Sequence, residues 1–146
     1  MQPTSTFNAR HQGARSRLAT YARLEVETQL PEADPHRLIL MLMDGFLESI
    51  ARARGALKEG RVAAKGEALI KAVRIVDEGL RCALDHHNGG KIAADLDALY
   101  TYVIKRLTLA NMRNDDQGMQ ECAELMRPIR EAWAAITPAK TPGLSS

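Results

Sequence analysis

The chain has 146 residues, enough for one domain with a real core and too few for two. Hydrophobic residues make up 45% and charged residues 26%, the balance of a soluble globular protein, and a net charge of +2 is too small to argue for nucleic acid. Two cysteines make no disulfide framework, the N-terminus has no apolar run to act as a signal, and no stretch of about eighteen apolar residues exists to insert in a membrane. The expected home is the cytoplasm.

Aromatic residues are few, one Trp, three Tyr and two Phe. The core must therefore be built from Leu, Ile, Val, Met and Ala, which suits helices better than strands. Residues 1–17 are polar, carry Pro3 and Gly13, and read as a mobile arm. From Leu18 the pattern changes: Leu18, Tyr21, Leu24 and Val26 form one apolar edge of a short helix or cap segment, interrupted by Pro31 and Pro35.

Asp34-Pro35 is a strong helix start, since the Asp carboxylate accepts from orphan N–H groups and Pro loses nothing at the first helical position. Ile39, Leu42, Phe46, Ile50, Ala53 and Leu57 then recur at steps of three and four, and Gly60 is the stop. A second helix carries Leu69, Val73, Val76, Leu80 and Ala83 and ends at Asn88-Gly89-Gly90. Asn-Gly suits a hairpin, but both flanks have helical period, so these glycines read as a helix terminator. The third helix has a stripe of Ile92, Leu96, Leu99, Val103 and Ala110 and closes near residues 111–114.

Asp115 and Asp116 are candidate caps for a fourth helix with the cleanest heptad in the chain: Met119, Cys122, Met126, Ile129, Trp133 and Ile136. Thr137-Pro138 ends it, leaving residues 137–146 as a flexible tail. Pro128 lies inside this helix, where it removes a hydrogen bond and crowds the carbonyl of Glu124 at a cost of about 3 kcal/mol. Because the heptad continues in phase, a kink is expected there and not a break. Four helices with short links predict an all-α, antiparallel up-down-up-down four-helix bundle over residues 18–136, with disordered tails.

Candidate chemistry is sparse. Cys82 and His86, one turn apart beside His87, are the best metal ligands, but zinc needs about four and no second pair stands at ligand spacing. A di-iron bundle would need Glu-x-x-His on two helices, and the chain has none. Ser49 and Cys122 sit on long helices with nothing nearby in sequence to activate them. Gly89-Gly90 lacks the Lys-Ser/Thr of a phosphate loop. Arg10, Arg15, Arg17 and Arg23 lack interleaved aromatics, so a solvated arm is the simpler reading. No enzyme, metal or cofactor is expected.

What stands out is surplus apolar surface. The first helix has a second row, Leu40, Met43 and Leu47; the third has Tyr100, Ile104 and Leu107, with Tyr102 and Leu109 around the back. A four-helix bundle needs about three positions in seven. Two readings account for the excess: a wide core covered by the N-terminal segment or by a homodimer partner, or a groove for an amphipathic helix.

The segment from Asp34 to Gly45, DPHRLILMLMDG, resembles the opening motif of the flagellar secretion chaperone FliS family. AAKGEALIKAVRIVDEGL, GGKIAADLDALYTYVIKRLTLANMRND and Glu131-Ala132-Trp133 resemble its later motifs in the same order, over about residues 18–136. The resemblance implies a cytosolic chaperone that binds the C-terminal segment of flagellin, prevents premature polymerisation and delivers it to the type III export apparatus. With that client, the surplus rows Leu40, Met43, Leu47, Tyr100, Ile104 and Leu107 read as the flagellin groove. Tyr21, by its distance to Pro35, matches the family's tyrosine for docking to an export-gate component. Met43 stands where the family usually has an aromatic, the arm before Tyr21 is longer than the family's, and Pro128 is outside its pattern.

Overall fold

A computed structural model describes residues 34–136, and the described residues form helices joined by short turns. Helix α1 runs Pro35–Lys58, α2 Val62–Arg74, α3 His86–Arg113 and α4 Asp116–Ala135. The expected arm (1–17), short N-terminal helix or cap segment and tail (137–146) lie outside the described residues, as does Tyr21.

Each start and stop has a local cause. Asp34 caps α1, its carboxylate accepting from Arg37 N at 3.0 Å, with Pro35 at the first helical position. Gly60, at φ 74°, turns the chain after α1 in a conformation that costs a side chain dearly and glycine little. The α3–α4 link is only Asn114 and Asp115. Asn114 takes the left-handed conformation at φ 52°, and Asp115 caps α4 by accepting from Gly118 N at 3.2 Å.

Two local features depart from the pattern read in the sequence. The helical path of α2 continues as a π-helix over Ile75–Arg81, placing Ile75, Val76, Gly79 and Leu80 all in the interior. It then stops, so the second helix does not reach Asn88. Instead Asp85 caps a new first turn, accepting from His87 N and Asn88 N at 3.1 Å, and Gly90 (φ 52°, ψ −124°) bends the chain into the body of α3. The glycines mark a break as expected, but one turn inside α3, because Asp85 is a better cap than the sequence pattern suggested.

Cross-helix pairs give the topology. Asp44 meets Arg130 and Arg54 meets Asp116, so α1 and α4 are antiparallel neighbours. Lys65 meets Asn111 and Arg81 meets Asp97, which sets α2 antiparallel to α3. Tyr102 meets Glu121 while Arg106 meets Asp115, doing the same for α3 and α4. Helix α1 packs along α2 and closes the ring, and Gly79, just beyond α2, lies where a Cβ would stand 3.0 Å from Leu42 Cδ1. Helices α1 and α3 thus lie across the diagonal of an up-down-up-down bundle.

The core runs through the bundle from Leu38, Leu42, Phe46 and Ile50 on α1 to Met119, Cys122 and Met126 on α4. On α3 the inward row is Ala93, Leu96, Tyr100, Val103, Leu107 and Ala110, at steps of 3, 4, 3, 4 and 3. This row merges the two read from sequence. Ile92, assigned there to the core stripe, is 71% exposed, because the bend at Gly90 leaves it at the open end of the helix. Helix α4 runs unbroken through Pro128, whose ring faces solvent.

Candidate functional site

Polar cross-links fasten the bundle seam by seam. On the α1/α4 seam, Trp133 Nε1 donates to His36 O at 2.9 Å, His36 Nε2 lies 2.7 Å from Trp133 O, and the rings stack with centroids 5.0 Å apart at 14°. Arg130 and Asp44 (2.7 Å) and the bidentate Arg54–Asp116 pair (2.7 and 2.9 Å) continue that seam. On the α2/α3 seam the ammonium of Lys65, only 3% exposed, donates to Asn111 O at 2.8 Å and Asn111 Oδ1 at 2.6 Å. It thereby caps the negative end of α3. Arg81 donates to Asp97 at 2.7 Å and Asp77 at 3.2 Å at the opposite end.

The α3/α4 seam is fastened differently. Tyr102 donates to Glu121 at 2.6 Å, and Arg106 bridges Glu121 (2.9 Å) and Asp115 (3.2 Å). The Tyr102 hydroxyl and the Arg106 guanidinium hold the Glu121 carboxyl below its ordinary range, and the same bond to Glu121 pushes the Tyr102 phenol up. Arg106 lies over Gly118, where a Cβ would stand 2.6 Å from its Nη1 and 3.0 Å from Ala110 Cβ, so a larger residue there would displace the guanidinium. These links occupy the half of the seam near residues 114–115.

The six groove candidates do not come together on one surface. Met43, Tyr100 and Leu107 belong to the core cluster, and burial pushes the Tyr100 phenol up to about 12. Leu40 and Leu47 are half-buried and share the helical row of Asp44 and Arg54, hence the α4 side of α1. Ile104 is half-buried and shares its row with Asp97 and Asn111, hence the α2 side of α3. Since α1 and α3 are diagonal, their rows meet only inside the core.

The apolar surface that is exposed lies largely elsewhere. Val62 and Ile70 occupy the row of Gly66 on α2, the glycine nearest Asn111, and Met112 (73% exposed) stands near the end of α3. On the other flank are Ile92, Tyr102 (43%) and Leu109, with Ile136 at the end of α4. Helix α3 is therefore bordered by apolar residues on both sides. The sequence held a signal for Val62-Gly66-Ile70, a step of four from the helix start. Within an Ala-rich run the inward row through Leu69 masks it.

Chemical groups do not converge. Among the described residues no three His, Cys, Asp or Glu side chains are placed to hold a metal ion. Cys122 is buried, its thiol pushed up to about 12 by burial and 3.9 Å from Val103 O, which suits a core filler and not a nucleophile. Ser49 is buried as well. No described helix is long and apolar enough to cross a membrane.

The fold is an all-α four-helix bundle held seam by seam by polar cross-links, with exposed apolar residues beside α3. A sequence model described as "Flagellar protein FliS" matches residues 17–140, and the chain belongs to that family. It is 48% identical over 123 residues to the flagellar secretion chaperone FliS of Salmonella typhimurium, covering 84% of this chain and 91% of that one. Similar relatives are flagellar secretion chaperone FliSB of Pseudomonas aeruginosa (42% identity; 80% and 92% covered) and FliS of Bacillus subtilis (35%; 69% and 74%).

Proposed function

We propose that this protein is a cytoplasmic export chaperone that holds the C-terminal segment of flagellin and delivers it to the flagellar type III export apparatus. It performs no turnover chemistry. The observation that carries the reading is the pair of apolar borders flanking α3, Val62, Ile70 and Met112 on one side and Ile92, Tyr102 and Ile136 on the other. An amphipathic segment that must bury an apolar face in the filament finds here a temporary substitute, and the entropy of ordering it keeps the complex releasable. Of the six groove candidates, Ile104, on the α2 side of α3, reaches such a segment, while Leu40 and Leu47 line the α1/α4 seam away from it. Met43, Tyr100 and Leu107 support it from beneath. Tyr21 is assigned to docking at an export-gate component.

Titration of the full chain with a peptide of the flagellin C-terminal segment tests this. Saturable binding at micromolar concentration is expected, with a gain in peptide helicity. No complex at that concentration would sink the assignment. The same borders would also suit a second copy of the chain, as in a helical oligomerisation module. Light scattering separates the two, since a module dimerises without the peptide and gains nothing from it.

A further inference from the structure

We propose that Met112 is a modification site: reversible oxidation of its sulfur by a peroxide turns the α2/α3 border polar and weakens its hold on the client. The effect on binding rests on the client reading above, whereas the selectivity of the oxidation does not. Methionine reacts at its thioether sulfur, so access decides which one reacts first. Met112 is 73% exposed, the most exposed large apolar side chain among the described residues. Met43, Met119 and Met126 are buried in the core, and Met41 is half-buried.

Position gives that exposure a consequence. The Lys65 ammonium, donating to Asn111 at 2.8 and 2.6 Å, holds the end of α3 against the first turns of α2. A Cβ on Gly66 would stand 4.0 Å from Asn111 Oδ1, so the two helices come close there. Val62 and Ile70 stand about one turn to either side of Gly66 and are 54% and 57% exposed. Met112 is one step of about 100° beyond Asn111, turned away from buried Ala110 and outward over the same crossing. The chemistry needs only hydrogen peroxide. The sulfur attacks one peroxide oxygen, the O–O bond breaks, an S=O bond forms, and the other oxygen leaves as water. The thioether loses two electrons and the peroxide gains them. A methionine sulfoxide reductase reverses the step: its thiol pair becomes a disulfide, and the sulfoxide oxygen leaves as water. The product is a polar group in place of an apolar one, so an apolar client face can cover it only by desolvating an unpaired dipole. The free bundle loses little, because a side chain this exposed packs against little of it.

The test treats the full-length chain with dilute hydrogen peroxide and removes the oxidant with catalase. Peptide-mapping mass spectrometry then follows each methionine, alongside thermal melting and calorimetric titration with the flagellin C-terminal peptide. Met112 should gain one oxygen before Met41, and well before Met43, Met119 and Met126, with the melting point unchanged. The oxidised chain should bind the peptide about tenfold more weakly. Methionine sulfoxide reductase should restore the affinity where a thiol reductant alone does not. Met112→Leu, compared only with itself before and after peroxide, should keep its affinity. Oxidation that starts at another methionine overturns the modification site. Unchanged affinity of the chain oxidised at Met112, or an equal fall in Met112→Leu, overturns the switch. Absence of binding by the untreated parent is a different result: it removes the client reading and the switch with it, while the modification site still stands or falls on the mass spectrum.

Discussion

At the scale of single residues, the bundle holds a few polar side chains buried among apolar ones. Lys65 is buried and held by the backbone and side chain of Asn111 at the end of α3, with no carboxylate partner among the described residues. Lys65→Met keeps most of the volume but leaves those acceptors unpaired. It should cost about 2 kcal/mol, read as a lower urea midpoint with an unchanged slope. The cysteines give a second check. With its thiol pushed up to about 12 by burial, Cys122 should resist an aromatic disulfide reagent at pH 8 in the folded protein, while half-buried Cys82 reacts first. Mass spectrometry of the labelled peptides decides it; equal labelling would mean the core opens readily. The burial of Cys122 was legible, since its heptad position points inward. That of Lys65 was not, because its partner Asn111 is a neighbour in space, and one sequence lists neighbours along the chain.

At the scale of elements, starts and stops were the legible part, because caps act within one turn. Asp34-Pro35, Gly60 and the aspartates after Asn114 carry their chemistry locally, and each end falls within a residue or two of where that chemistry points. The π-helix over Ile75–Arg81 was not legible, since nothing in IVDEGLR distinguishes i→i+5 from i→i+4 bonding. What selects it is tertiary: Gly79 approaches Leu42 while Ile75 packs near Gly45. Wide turns of this kind hydrogen-bond less well than α-helix. Amides of residues 77–82 should therefore exchange faster than those of residues 66–74 in the same helix; equal protection would show the π turn to be as firm as its neighbours. The caps also set the acid response. Asp115 lies below the usual carboxylate range because Gly118 N donates to it, and Asp116 does so because of its bonds to Arg54. Groups lowered in the folded state stabilise above their unfolded values near pH 4 and lose that contribution as pH falls toward the folded ones. Helicity should hold at pH 5 and give way below about pH 4, and a midpoint that moves little when both are changed to Asn would contradict this.

For the whole molecule, periodicity made the fold class readable, and the diagonal placement of α1 and α3 decided what it did not. Heptads say that a helix has an inward face; they do not say which helix stands opposite. Half of the two rows read as surplus is core: in an up-down-up-down ring Met43, Tyr100 and Leu107 fill the interior, while Leu40, Leu47 and Ile104 lie half-buried on separate seams. The exposed apolar residues then lie largely on the two flanks of α3. Ile70→Glu and Ile92→Glu, both at exposed positions, should leave unfolding within about 0.5 kcal/mol of the parent. Each should weaken peptide binding, and together they should abolish it if one segment wraps both flanks.

The His36–Trp133 clasp has a practical consequence. Trp133 is the chain's single tryptophan, and its ring is stacked on the first turn of α1 from the last turns of α4. Its fluorescence is therefore a local optical reporter of whether the first and last helices stay joined, with no label to add and no second emitter of its kind to subtract. A client that only lines the flanks of α3 leaves that emission unchanged. A handover that pries the bundle apart announces itself in the spectrum as it happens.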